Sequence, residues 1–298
     1  MIWSNLTQRI IFYMHTGPEI LGNILVLVRH VYTFIMGSEK QKPICLIHIH
    51  LFFSNILIIS SIGARSRIAT DLCFINFLGD VGCKTVIFME KLARGLSICT
   101  MSLLTTVQAI TISARTALWR KLKPQTAWQV LPYPLLFWVL NSLITSYLLH
   151  YMTALDSMNS SRTKVYKGYC HMHQCRHVVR WFAFSLMALQ DVISQCLMGW
   201  SSGYMAFHLY KHHKQVLYLY SSKFENNSSP EIRATLSTLI LMACFLFYYW
   251  TDFISSIYLS SFMTHDCTVL NIKVLLVLGY AGLSPFILII RNAPVSKD

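Results

Sequence analysis

The chain has 298 residues, of which 54% are hydrophobic and 12% charged, and a formal net charge of +13. Soluble domains carry about a quarter charged residues; half that share, with long apolar runs, excludes a water-soluble globule, whose surplus apolar surface would aggregate. The basic excess is spread over the flanks of the apolar runs, which excludes nucleic acid as a partner, and no phosphate loop, zinc-protease helix or nucleophile elbow marks an enzyme.

A bilayer-crossing helix needs about 20 mainly apolar residues. Seven stretches meet that need: about 10–35, 44–64, 81–111, 128–150, 179–209, 234–260 and 269–290. The first is the weakest, because it holds His15, Pro18 and Glu19; Asn5-Leu6-Thr7 ahead of it is a glycosylation sequon close to the membrane. No cleavable leader is expected, the first span serving as its own insertion signal. Asn23 in span one and Asn55 in span two are placed to hydrogen-bond across the bundle. His48 and His50 stand two apart and so point to different faces.

Span three opens on "GDVGCKTVIFMEKLARGLSICT", residues 79–100, an apolar helix that carries Glu90, Lys91 and Arg94 in its middle. At 1.5 Å per residue, Glu90 lies roughly 10 Å and Arg94 roughly 16 Å below Cys83. Glu90 and Arg94 are four apart and share a face, while Lys91 points about 100° away. Facing lipid, such charges are untenable; facing a wet space between helices, they are reasonable. Asp252 in span six lies roughly 10 Å from its outer end, and Asp191 in span five falls nearer mid-membrane. Glu90, Lys91, Arg94, Asp191 and Asp252, with Tyr249 among the surrounding aromatics, therefore sketch a pocket for a small ligand that opens outward. The other reading is a structural Glu90–Arg94 ion pair, joined by Asp191, that only holds the bundle together.

The connections between spans are short and no internal repeat is visible, so one domain, 1–298, is expected. The positive-inside rule favours an outside N-terminus. Arg115, Arg120, Lys121, Lys211, Lys214 and Arg233 then lie on the inner side, where they meet anionic lipid at about 1 kcal/mol per residue. Cys83 and Cys170 fall on the outer side, where a disulfide would tie span three to the loop after span four. Asn159-Ser160-Ser161 is a sequon in that same loop, whereas Asn226 and Asn227 fall inside and stay bare. "KGYCHMHQCRH" invites a metal reading, but assigning Cys170 to the disulfide removes it as a ligand; no metal and no cofactor is expected. Cys45, Cys99, Cys196 and Cys244 read as buried thiols, and Gly199 and Gly203 in "GWSSG" have the spacing of close helix packing.

Fragments along nearly the whole chain resemble the vomeronasal type-1 receptors. They are Gly22-Asn23, "KPICLIHIHLFFSN", "FLGDVGCK" with Arg94-Gly95, "LLTTVQAITIS", "KGYC", "QDV" with "LMGWSSG", "SSPEIRAT" and "LSPFILI". The resemblance implies an all-α membrane protein, a seven-transmembrane-helix bundle of rhodopsin-like G-protein-coupled receptor architecture. It implies a small pheromone-like or odorant ligand, the plasma membrane, and a heterotrimeric G protein of the inhibitory type docking on the basic inner rim. The chain departs from the wider receptor class in carrying Val107-Gln108-Ala109 where an acidic-Arg-Tyr triplet is usual. It departs from the family itself at Ala114, where proline is more frequent, and at Glu90-Lys91, so ligand preference does not carry over there. A bitter-taste-type receptor is the nearest alternative, against which "SSPEIRAT" and "WSSG" speak. A small-solute transporter or channel is more distant, given the odd span count and the absence of repeats.

Overall fold

The computed structural model describes residues 2–37, 42–70, 72–113, 123–124, 126–147, 149, 152–154, 170–172, 177–219, 230–262 and 278–287. In chain order its elements are α1 (Ile2–Met36), α2 (Lys42–Thr70), α3 (Leu72–Ser113), α4 (Ala127–Val130), α5 (Pro132–Thr145), β1 (Met152–Ala154), β2 (Cys170–Met172), α6 (His177–Leu219) and α7 (Pro230–Phe262). A final apolar helix, α8, covers Leu278–Ile287. Five segments are long and apolar enough to cross a membrane: Thr16–Met36, Pro43–Ala64, Lys84–Ile112, Ala127–Thr145 and Trp181–Lys211; Thr235–Thr251 is a shorter apolar stretch of the same kind as α8. The 42 residues of α3 make a rod about 63 Å long, twice the hydrocarbon thickness, so its ends project into the headgroup layers or beyond.

Local chemistry explains the breaks. Pro132 and Pro134 lack backbone donors, so the fourth span is divided at Leu131 into α4 and α5, although Leu131 keeps right-handed helical angles and the path runs on. The first span carries Pro18 within α1 without a break in its helix. Among the described residues two short strands pair antiparallel, with Met152 opposite Met172, Thr153 opposite His171 and Ala154 opposite Cys170; β1 lies against α3.

α3 is the hub, packing on α2, α5, α6, α7 and β1. Ile47, Leu51, Ile98, Met101, Leu104, Val130, Met198, Leu241 and Phe245 interlock one half of the bundle, and Ile58, Ile59, Ile62, Ala93, Leu278 and Ala281 a smaller zone. The outer face of α5 shows Leu135, Leu136, Val139, Leu140 and Leu143 exposed, as lipid contact requires. Several hydroxyls inside are satisfied within their own helices: Ser54 donates to the His50 carbonyl, Thr100 to Leu96 and Thr145 to Asn141. With no water to serve them, that is the available solution.

Asn23 and Asn55 do bond across the bundle. Asn23 Nδ2 donates to the carbonyls of Glu19 and Ala281, both at 2.8 Å. Asn55 Nδ2 donates to Ser284 Oγ at 2.8 Å and to Asn23 Oδ1 at 3.4 Å. Spans one, two and seven are thereby joined. Glu19, which the sequence marks only as a weakness of span one, is buried, and its carboxylate fills the space a side chain on Gly282 would need. Pro285 of α8 packs at the same seam, against the space beside Gly22.

His48 and His50 turn to different neighbours. His48 meets His30 edge-on at 4.7 Å between ring centroids. His50 Nε2 accepts the Trp138 indole N–H at 2.9 Å, and Nδ1 lies 2.7 Å from Thr100 Oγ1. Because the Thr100 hydroxyl is already donated to Leu96 at 2.6 Å, Nδ1 must carry the proton and His50 is neutral. His50→Phe leaves the Trp138 N–H with no acceptor, and the expected cost is about 1–2 kcal/mol. A lower thermal midpoint in detergent is the result to look for; an unchanged midpoint would show that the Trp138 bond contributes nothing.

Two expectations are corrected. Cys196 is exposed on the outer face of α6 and Cys244 is only half-buried, so neither is a buried thiol like Cys45 and Cys99. Gly199 and Gly203 face outward as well, and a Cβ at either would meet nothing within 4 Å. Their close-packing spacing is not used inside this bundle, because α6 turns its other face to α3.

Candidate functional site: a charged junction of three helices

Three helices bring polar residues together. α3 supplies Lys91 and Arg94, α6 supplies Asp191, and α7 supplies Tyr249; all four are half-buried, as is Glu90 one turn before Arg94 on α3. The Arg94 guanidinium lies over the Tyr249 ring, its Cζ 5.1 Å from the centroid. A cation over an aromatic face is worth about 0.5–2 kcal/mol, the upper part of that range where water is scarce. The Tyr249 hydroxyl donates to Asp191 Oδ2 at 2.5 Å, a short bond to a charged acceptor. Arg94 and Lys91 both act electrostatically on Asp191. Arg94, Tyr249 and Asp191 thus form a continuous chain from span three through span six to span five.

Trp250 stands perpendicular to Tyr249 at 6.4 Å between centroids, and the Phe245 ring stacks on Tyr249 from one turn below at 6.1 Å. Phe245 in turn meets Tyr280 of α8 edge-on at 4.7 Å. Gly279 admits Tyr248: a Cβ there would sit 2.6 Å from the tyrosine ring. The aromatic face of α7 therefore couples the charged junction to span seven.

A second cluster, which the sequence reading missed, sits one residue along both partner helices. Gln190 Nε2 donates to Asn141 Oδ1 at 2.8 Å and to Cys99 Sγ at 3.2 Å. Asn141 Nδ2 donates to its own helix at the Phe137 carbonyl, 2.9 Å away. Gly95, next to Arg94, has no side chain, and a Cβ there would overlap the Asn141 carboxamide oxygen. The one sequence signal was Asn141 itself, an amide in the middle of "LLFWVLNSLI"; nothing in the sequence says which helices it joins. Among the described residues no group of three or more His, Cys, Asp or Glu is arranged to hold a metal.

Other expected site residues fall elsewhere. Lys211 is exposed near the C-terminal end of α6. Asn159, Arg115, Arg120 and Lys121 lie outside the described residues. Asn5, Cys83, Cys170, Lys214, Arg233 and Asp252 stand on α1, α3, β2, α6, α7 and α7, and their side chains lie outside the described set.

A membrane-embedded helical bundle with α3 at its centre and a polar junction inside it defines a multi-pass receptor of the seven-helix architecture. The profile of the vomeronasal organ pheromone receptor family matches residues 6–297. Vomeronasal type-1 receptor 51 of Mus musculus is 32% identical over 290 residues, covering 95% of this chain and 87% of the relative. Receptor 94 of Rattus norvegicus is 31% identical over 292 residues, with 96% and 86% covered. Receptor 3 of Homo sapiens is 30% identical over 280 residues, with 93% and 88% covered. The chain belongs to the vomeronasal type-1 receptor family, a family of receptors and not of enzymes. The bitter-taste and transporter alternatives give way to that membership.

Proposed function

We propose that this chain is a plasma-membrane receptor, N-terminus outside, that takes a small pheromone-like or odorant molecule from the exterior and activates a heterotrimeric G protein of the inhibitory type. The whole chain, 1–298, acts as one seven-span domain. The ligand contacts Glu90, Lys91, Arg94, Asp191 and Tyr249, and Asp252, three residues past Tyr249 on the same helix, completes the set. The observation that carries this reading is the Arg94–Tyr249–Asp191 chain: charged and aromatic groups from three helices meet half-buried.

A disulfide between Cys83 and Cys170 caps the site. Its support is that β1, which pairs with the strand bearing Cys170, lies against the helix bearing Cys83. Asn159, and Asn5 nearer the membrane, carry the glycans. Arg115, Arg120, Lys121, Lys211, Lys214 and Arg233, assigned to the inner side by the charge rule, meet anionic lipid and the G protein.

Ligand here would favour one arrangement of spans five to seven by differential contact. Dose–response curves for agonists from an odorant panel, with surface expression matched, provide the test. Arg94→Gln and Glu90→Gln should each lose potency at least roughly tenfold for some agonists, the size of one lost charge-assisted bond. Unchanged potency of both variants for several agonists removes the ligand assignment.

A further inference from the structure

Tyr249 is the link between α7 and the rest of the charged junction. Its ring receives Arg94 of α3, and its hydroxyl is donated to Asp191 of α6. The two partner helices are held to each other independently. Gln190, beside Asp191, bonds Asn141, whose carboxamide rests on Gly95, beside Arg94. Among the described residues α6 also runs along α3 over a longer stretch than α7 shares with either α3 or α6. Spans three and five thus form a fixed frame, and span six leans on it.

From this geometry we infer that Tyr249 is a latch: its bond to Asp191, with Arg94 over its ring, holds span six in the resting arrangement, and a ligand activates by competing for Asp191 or Arg94. The regulation rests on the receptor reading above, because it is the movement of span six that would open the inner docking face.

The physics favours release over adjustment. A half-buried carboxylate that loses its phenol donor must find another partner within the junction, and Arg94 and Lys91 are both within electrostatic reach. Asp191 can therefore be resatisfied from α3 without α7. The frame survives the loss, and at the level of the junction span six is then held only by apolar packing such as that of Leu241 and Phe245 in the shared core. Its motion passes onward through Tyr248 against Gly279 and Phe245 against Tyr280, both contacts with span seven.

Tyr249→Phe keeps the ring under Arg94 and removes only the hydroxyl; Asp191→Asn keeps the shape and removes the charge. One lost bond to a charged acceptor shifts a two-state balance roughly tenfold. The experiment uses full-length receptor in lipid nanodiscs, with spin labels carried by unnatural amino acids at Ile112 near the end of α3 and Leu236 near the start of α7. Interlabel distances are read without ligand, and basal nucleotide exchange is read on purified inhibitory-type G protein. A longer-distance population that grows in Tyr249→Phe and in Asp191→Asn, and no further in the double variant, establishes the latch. If exchange rises with it, the receptor reading stands too; if exchange stays flat while the distance shifts, the latch holds and the G-protein assignment fails. Distances identical to wild type in both single variants overturn the latch, whatever exchange does.

Discussion

Gly95→Val should prevent the receptor from reaching the cell surface, and Gly95→Ala should already cut its thermal stability sharply. A Cβ at this position overlaps the Asn141 oxygen and lies 2.8 Å from its Cγ, with Gln190 Nε2 3.4 Å away. None of these is the loose end of a flexible side chain. The amide is pinned by its own bonds to Phe137 and Gln190, so accommodation means moving α5 off α3. The cost is overpacking plus a broken buried amide pair, about 3 kcal/mol or more together. Gly63→Ala is the matched control, since a Cβ at Gly63 meets nothing within 4 Å. Gly95→Ala combined with Asn141→Ala should recover part of the loss, because the obstructing group is gone, and a double-mutant cycle measures that recovery. Equal stability of Gly95→Ala and Gly63→Ala would mean that α3 and α5 do not approach as described.

Asn23→Leu is the second large effect expected. The substitution keeps most of the volume and removes the group that ties span one to span seven through the Ala281 carbonyl. It also leaves Asn55 with Ser284 as its one remaining acceptor among the described bonds. In hydrocarbon an unpaired polar group finds no water, yet interhelical bonds in membranes measure well under their vacuum strength, so about 2 kcal/mol is expected for the set. The loss should appear as a lowered thermal midpoint in detergent, and Ser284→Ala added to Asn23→Leu should cost less than it does alone. Strict additivity of the two changes would refute a shared network.

The charged stretch of span three shows how far a one-dimensional reading reaches. Helical spacing was enough to place Glu90 and Arg94 on one face, one turn apart in depth, and the expense of a bare charge in lipid was enough to turn that face inward. The choice between an ion pair and a wider junction was not available from spacing, since Arg94 meets a tyrosine 155 positions later in the chain, itself held by Asp191 58 positions before it. Likewise the separation of His48 from His50 was legible as two faces of one helix, while the neutral state of His50 depends on Trp138 and Thr100, 88 and 50 positions away.

What the sequence determined by itself is the solvent, the class and the family. Apolar runs of membrane length admit few other folds, because every backbone group in hydrocarbon must bond within its own helix, and the ordered motifs identify the receptor group. What only the tertiary structure decided is how each helix is rotated and whom its polar atoms meet. Gly95 proved to be a contact and Gly203 an exposed surface, although both are small residues in apolar helices. The physical reason is that hydropathy and periodicity are properties of one segment, whereas helix rotation is settled where two segments pack, and Asn23 finds its partner 258 residues away.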